Sequence, residues 1–361
     1  MKKYYPKLTV IVAVFVLLII GNTYLTRTQS REYTSEEFLM DTLVSISTIG
    51  TDTALLQQAT EKAFHEIRRI ADLTDRFPAV DTPAYQKSDI VRINEMAGIK
   101  PVIVDEDVFK MLQLAQEYSR LTEGAFDITI GPVMDLWGFG QQKQKVPESH
   151  ELTRTLALVN STELLLDEQA HSAFLKKAGM SLDLGAVAKG YAVEKAARIL
   201  EESGVKKALI DAGGNIRVLG EKDKGVPWKI GIQDPRNPAA LLGILSLKNE
   251  AAVTSGDYHR NVQIAGKTYH HLISPRTGYP AEYNMSVTVL TRDASQADLL
   301  STALFLLEPQ QALALGTKLS DTEVLIVTAD KKILFTPGLR GKIELTPEEG
   351  YIYDEKANDK S

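Results

Sequence analysis

The chain has 361 residues, with 44% apolar and 24% charged side chains and a formal net charge of -6. That suffices for one large or two ordinary domains around a sizeable core, and the acidic balance argues against non-specific nucleic-acid binding. No cysteine is present, which excludes disulfides, thiolate catalysis, iron–sulfur clusters, cysteine-ligated zinc and a lipid anchor on an N-terminal cysteine.

In chain order, Lys2, Lys3 and Lys7 precede the apolar run LTVIVAVFVLLII, residues 8–20. Positive charge followed by such a run predicts a secretory signal or signal anchor. The run is short for a full span, and extending it to Leu25 gives a marginal one. No clear A-x-A cleavage site precedes TRTQS. The prediction is an uncleaved anchor, secreted only if cleaved, with the bulk of the chain at the extracytoplasmic face of the cell membrane. Domain boundaries follow: anchor and linker over 1–29, one catalytic domain over 30–350 and a frayed polar tail over 351–361.

Residues 26–37 are polar and read as linker, and FLMDTLVSISTIG (38–50) alternates β-branched residues as a strand does. Over 54–77, Leu55, Ala59, Ala63, Ile67 and Ile70 share one face of an amphipathic helix. AVDTPAYQKSD reads as a loop, 107–124 as a helix stopped by Gly124, and QQKQKVPESHE as a polar loop. Short strands are expected over 160–184 and a helix over 189–203. Strands follow in KKALIDAGGNIRVLG, WKIGIQDP, AAVTSGDYHR, KTYHHLIS and MSVTVLTRDA. ASQADLLSTALFLL and EPQQALALGTKL predict helices, and TEVLIVTAD with KKILFTPGL predicts a terminal hairpin. Helices early and hairpin-like strands in the middle indicate an α+β fold rather than βαβ repetition.

Several stretches carry chemistry. MSLDLGAVAKGYAVEKAARIL (180–200) puts an acid, Asp183, a small-residue turn and a lone cation, Lys189, ahead of a helix. It looks like a phosphate loop but fits neither the Walker A nor the G-x-G-x-x-G spacing. In TEGAFDITIGPVMDLWGFG, Asp127 lies among apolar residues, so it is either a turn acid capping amides or an acceptor for a ligand. The Gly213-Gly214 pair in ALIDAGGNI marks a tight hairpin turn, with a ligand-facing turn as the alternative. Ser255 has no local partner that would make it a nucleophile and sits in no G-x-S-x-G. His270 and His271 occupy opposite-facing strand positions, so at most one of them faces a given site. Asp298 and Thr302, i and i+4 on one helix, present a carboxylate and a hydroxyl, hard oxygen donors of the kind Mg²⁺ takes.

Together these stretches resemble the ApbE family, the FAD:protein FMN transferases. The resemblance runs over roughly residues 35–345. It rests on Met40-Asp41-Thr42, SDIVRIN, GAFDITIGPVMDLWGFG, LDLGAVAKGYAVEKAARIL, AGGNIRVLG, AVTSGDYHR, HLISPRTGYP and ADLLSTALF, in the family's order and near its spacing.

The resemblance implies a T-fold-like catalytic domain with mixed and antiparallel sheets and flanking helices. It implies Mg²⁺-dependent transfer of the FMN half of FAD to a threonine hydroxyl on a partner, with release of AMP. The partners implied are membrane or exported redox proteins with a Ser/Thr-Gly-Ala-Thr-like motif. By the same resemblance the Ala186 carbonyl, Asp298 and Thr302 hold the metal. Met40, Ala125, Phe126, Asp127, Asp183, Lys189 and Ile273 line the FAD pocket, and Phe77 stands nearest to a flavin-contacting aromatic. His271, then Asp298, are the candidate bases. The chain departs from the family at Asp41, where Gly is frequent, in a longer loop before SDIVRIN, and in lacking the cysteine of lipoprotein relatives. An FAD pyrophosphatase yielding FMN and AMP, and a non-enzymatic FAD-binding surface protein, remain as alternatives.

Overall fold

A computed structural model describes residues 29–80, 82–139 and 144–353. The N-terminal apolar run and the last eight residues lie outside the described residues. Among those described, no helix is long and apolar enough to cross a membrane.

The stretch expected as linker and single strand is instead a hairpin. Strands β1 (Arg31–Leu39) and β2 (Thr42–Gly50) pair antiparallel through a turn at Met40 and Asp41. Strand β1 was missed because it is a polar edge strand: only Tyr33, Ser35, Glu37 and Leu39 turn towards the protein, and none of their intervening neighbours is covered.

Helix α1 (Thr53–Thr74) starts where Asp52 accepts the Ala54 and Leu55 amides at 3.1 Å each. Its buried face carries Leu56, Ala59, Ala63, Phe64, Ile67 and Ile70, so Leu56 rather than Leu55 lies inward. Then come α2 (Pro83–Lys87), inside the expected loop, α3 (Asp89–Glu95), β3 (Val102–Ile103), α4 (Glu106–Leu121) and α5 (Gly131–Trp137). Helix α6 (Ser149–Leu156) begins in the segment read as polar loop, where a capping box between Glu148 and Glu151 closes its first turn. Strands β4 (Leu164–Asp167) and β5 (Ser172–Leu175) form a small sheet with β3.

The C-terminal half holds α7 (Ala188–Glu202), β6 (Lys207–Ala212), β7 (Asn215–Leu219), β8 (Trp228–Gln233), β9 (Leu241–Leu247), β10 (Ala251–Gly256), β11 (Asn261–Ile264) and β12 (Lys267–His270). It ends with β13 (Asn284–Thr291), α8 (Ala294–Phe305), α9 (Pro309–Lys318), β14 (Glu323–Thr328), β15 (Lys332–Phe335), β16 (Ile343–Leu345) and β17 (Ile352–Tyr353). The last of these pairs with β15, so the frayed tail begins later than expected.

The large sheet runs β1-β2-β6-β7-β10-β13-β14-β15-β17 and is antiparallel except for its last pair. Helices α1, α7, α8 and α9 cover one face. The sheet β16-β9-β8 covers part of the other, with Trp228, Ile230 and Leu245 packed on Val218, Leu325 and Val327. Strand β13, buried at all eight positions, lies where both layers meet. The second sheet went unread because residues 241–247 are a nearly continuous apolar run, which periodicity alone does not assign to strand or helix.

A buried ion pair ties the helical layer to the sheet. Glu194 on α7 accepts from Arg217 Nε on β7 at 3.1 Å, and both residues are almost fully buried. The same Glu194 oxygen accepts the Ala294 amide at 2.9 Å and so fixes the start of α8. Replacing Arg217 by Met strands a buried carboxylate. The expected loss is about 3–5 kcal/mol of unfolding free energy, read from urea titration.

Candidate active site at one end of the large sheet

Strand register gathers distant motifs at a single sheet end. The Met40–Asp41 turn joins β1 to β2, and the Gly213–Gly214 turn joins β6 to β7. Because Val44 pairs with Ala212 and Asn215 with Val253, both turns lie beside the C-terminal end of β10. Gly213 is held at φ 61 directly against Thr42, whose hydroxyl a Cβ there would overlap. The Met-x-Thr and AGGN stretches are therefore one packed unit. Asp41 takes φ 59, a left-handed conformation that Asp tolerates better than most residues. Its exposed carboxylate lies 3.5 Å from Arg260 Nη2, on the loop after β10.

The loop before α7 meets α8 in the same region. Asp183 accepts the Gly185 amide at 2.9 Å and lies 3.3 Å from Arg76 Nη1. Lys189 Nζ donates to the Gly185 carbonyl at 3.1 Å. The first turn of α7 is unusual. The Gly190 amide, which would ordinarily donate to the Ala186 carbonyl, donates instead to Asp298 Oδ2 at 2.8 Å. The Ala186 carbonyl consequently accepts no hydrogen bond among the described residues. Gly190 is glycine because the helices touch there: a Cβ would overlap the Ala294 carbonyl oxygen and Asp298 Cβ.

Asp298 is 4% exposed. Burial pushes its carboxyl above the usual range, while the Lys189 charge, the Gly190 amide and the Asn215 side chain pull it back. One turn on, Thr302 Oγ1 is 3.1 Å from Ser255 Oγ, which also lies 2.8 Å from Ser301 Oγ. Asp298, Thr302 and the released Ala186 carbonyl make a set of hard oxygen donors that fits a divalent cation. No group of three or more His, Asp or Glu is present among the described residues, so most of such a cation's shell would come from a ligand or water. Gly190→Ala is expected to cost about 1–3 kcal/mol by overpacking and to separate Asp298 from Ala186. Thermal melts and calorimetric Mg²⁺ titration would check both effects.

The two adjacent histidines diverge. His270 Nε2 is 2.9 Å from the Ala281 carbonyl, and its ring stands edge-on to Phe305. His271 Nδ1 is buried with no hydrogen-bond partner among the described residues. Burial, then the charges of Arg260 and Lys189, lower the His271 pKa from 6.5 to about 3. The unfolded chain takes up this proton below about 6.5, whereas the folded one does so only near 3, so acidification through that window favours unfolding. Between pH 7.5 and 5, wild type should lose about 2 kcal/mol more stability than His271→Gln, measured by denaturant titration.

The remaining predicted residues border the same loop. Ile130 bridges Ser181 in parallel, and the Asp183 amide donates to Ile128 at 2.8 Å, which sets residues 125–130 beside 181–183. Ala125 and Phe126 are buried in the main core. Asp127 acts as a turn cap: one oxygen accepts from the Thr129 amide and hydroxyl, the other from the Ser161 amide at 2.7 Å. Burial still pushes its carboxyl upward. Ile273 is buried beside Trp137 in a separate small cluster, and Met40 is half-buried against the main core. Phe77 is 48% exposed, with the Arg76 guanidinium 4.9 Å above its ring.

Sequence reasoning missed Arg76. Its nearly buried side chain donates to the Gly131 carbonyl, Asp135 and Ser181 as well as to Asp183. Nothing in the local pattern marks it, since all four partners are distant in sequence. Ser255, set aside as a nucleophile, instead positions the Thr302 hydroxyl. Asn215 was passed over inside AGGN, although a polar residue opening a buried strand is a readable signal.

Comparison with known proteins agrees with this geometry. The family model described as ApbE family matches residues 40–326. An FAD:protein FMN transferase from Klebsiella pneumoniae is 35% identical over 309 residues, covering 85% of this chain and 92% of the relative. The crystal structure of the ApbE protein from Thermotoga maritima superposes with a TM-score of 0.79 at 30% identity, covering 86% of this chain and 99% of that one. The flavin transferase ApbE from Vibrio cholerae superposes at 0.73 and 25% identity, over 87% and 100%. The fold, with its site at one end of the large sheet, is thus of the transferase class these structures represent. The chain belongs to the ApbE family.

Proposed function

We propose that this protein transfers the FMN half of FAD to a threonine hydroxyl of a partner protein and releases AMP. The observation that carries this reading is the rerouted first turn of α7. It buries the Asp298 carboxylate against Gly190 and frees the Ala186 carbonyl beside it. A buried carboxylate with raised proton affinity is a group in want of a cation. Mg²⁺ held by Asp298, Thr302 and Ala186 would neutralise charge on the pyrophosphate and on the departing AMP.

The chain's own side chains do the rest. Met40, Phe77, Ala125, Phe126, Asp183, Lys189 and Ile273 hold the dinucleotide, with Lys189 towards its phosphates. Asp127 takes part through its backbone, since Thr129 and Ser161 already occupy its carboxylate. His271, neutral above about pH 3 and with Nδ1 free of partners, takes the proton of the acceptor hydroxyl. The hydroxyl oxygen bonds to the FMN phosphorus, the pyrophosphate bridge breaks, and its electron pair leaves with AMP. Asp298 is the weaker candidate base, because a bound cation lowers its proton affinity. The acceptor is a membrane or exported redox protein with a Ser/Thr-Gly-Ala-Thr-like motif. Residues 8–20 tether the enzyme at the extracytoplasmic face of the membrane.

The test mixes full-length protein in detergent with FAD, Mg²⁺ and an acceptor domain carrying Ser-Gly-Ala-Thr, followed by mass spectrometry. An EDTA-sensitive FMN adduct on the threonine, with AMP, is the expected result. Free FMN and AMP without adduct would favour the pyrophosphatase reading, and intact bound FAD the carrier reading.

A further inference from the structure

We infer that Asn215 is a ligand-facing member of this site, its side-chain oxygen serving as the acceptor for an O–H donor that arrives with the bound cation or dinucleotide. The inference rests on the reading of the site just given.

Asn215 opens β7 directly after the Gly213–Gly214 turn, paired in register with Ala212 and Val253. It is 3% exposed. The amide side supports the ionised carboxylate of Asp298. The oxygen on the other side is buried and has no hydrogen-bond partner among the described residues. Buried acceptors are nearly always satisfied, so an orphan needs a reason. Space is available beside it: a Cβ built on Gly214 meets nothing within 4 Å, while the one on Gly213 would overlap Thr42. The first glycine is thus fixed by packing, and the second leaves the approach to Asn215 open.

An oxygen acceptor in contact range of a cation-binding carboxylate suits one chemistry, an O–H group. A water of the hydrated cation and a hydroxyl of the dinucleotide's sugar chain both supply it. In either case Asn215 orients Asp298 with its amide and grips the ligand with its oxygen, the work of a residue standing behind metal ligands.

The experiment is calorimetric titration of full-length protein, first with MgCl₂ alone and then with FAD in EDTA, on wild type and Asn215→Ala. The expected result is a loss of about 10- to 100-fold in one of these affinities. Weakened Mg²⁺ binding identifies a cation-bound water as the donor, and weakened FAD binding in EDTA identifies a hydroxyl of the dinucleotide. Wild-type affinity for both probes overturns the inference and leaves a single structural water on the oxygen. If Asn215→Ala does not fold, Asn215→Leu, which keeps the volume, is read the same way. Asp298→Ala in the same titration separates the two levels. Mg²⁺ affinity lost there but intact in the Asn215 variants refutes only the role of Asn215, whereas Mg²⁺ binding unchanged in Asp298→Ala refutes the cation site itself.

Discussion

Asp298→Ala is expected to abolish cation-dependent turnover while the chain stays folded. The carboxylate is the one ionisable donor in the proposed cation set, and it sits 2.8 Å from the Gly190 amide with almost no solvent contact. The remaining carbonyl and hydroxyl donors are neutral and do not hold a divalent cation against water. The loss should reach about a thousandfold in kcat/KM, on the order of 4 kcal/mol of transition-state stabilisation. Stability should change far less. The variant leaves one amide without its acceptor, at about 1–3 kcal/mol, but removes a desolvated charge. Activity with and without EDTA, beside urea unfolding, checks both halves. Wild-type turnover in the variant would sink the metal assignment.

His271→Ala is expected to slow transfer by about 10²- to 10⁴-fold, the usual worth of a positioned general base. FAD affinity should move by less than about threefold. The reasoning is positional: His270 is committed to the Ala281 carbonyl, whereas His271 keeps Nδ1 free. Its ring is also near enough to Lys189 and Arg260 for their charges to depress its proton affinity. An anionic phosphate between those cations would offset them and raise that affinity when the base is needed. Single-turnover rates beside FAD fluorescence titration make the test. Equal losses in both would make His271 a binding residue.

Much of the fold was legible in the sequence wherever burial leaves a period. Helices α1, α4, α7, α8 and α9 and the hairpins β6–β7 and β14–β15 fall close to their expected positions. Where one rule did not reach, the reading failed. Strand β1 shows too few apolar residues because half of it faces water, and β9 too many because both its faces are covered in part. Helix α6 hides in a polar segment, since its single buried residue is Leu152.

The sequence by itself determined the family, the α+β class and the residue types of the site. Those rest on local constraints: glycines where backbones touch, an acid and a hydroxyl one turn apart, caps before helices. Only the tertiary structure decided which groups meet. Strand register puts the Met40 turn against Gly213 and brings Ser255 to Thr302. The α7–α8 crossing gives the Gly190 amide to Asp298 and leaves the Ala186 carbonyl free. Arg76, Glu194, Arg217 and Asn215 gain their roles entirely from partners remote in the chain. A hydrogen bond acts over about 3 Å, and pattern along the sequence carries no information about which distant groups the fold will bring that close.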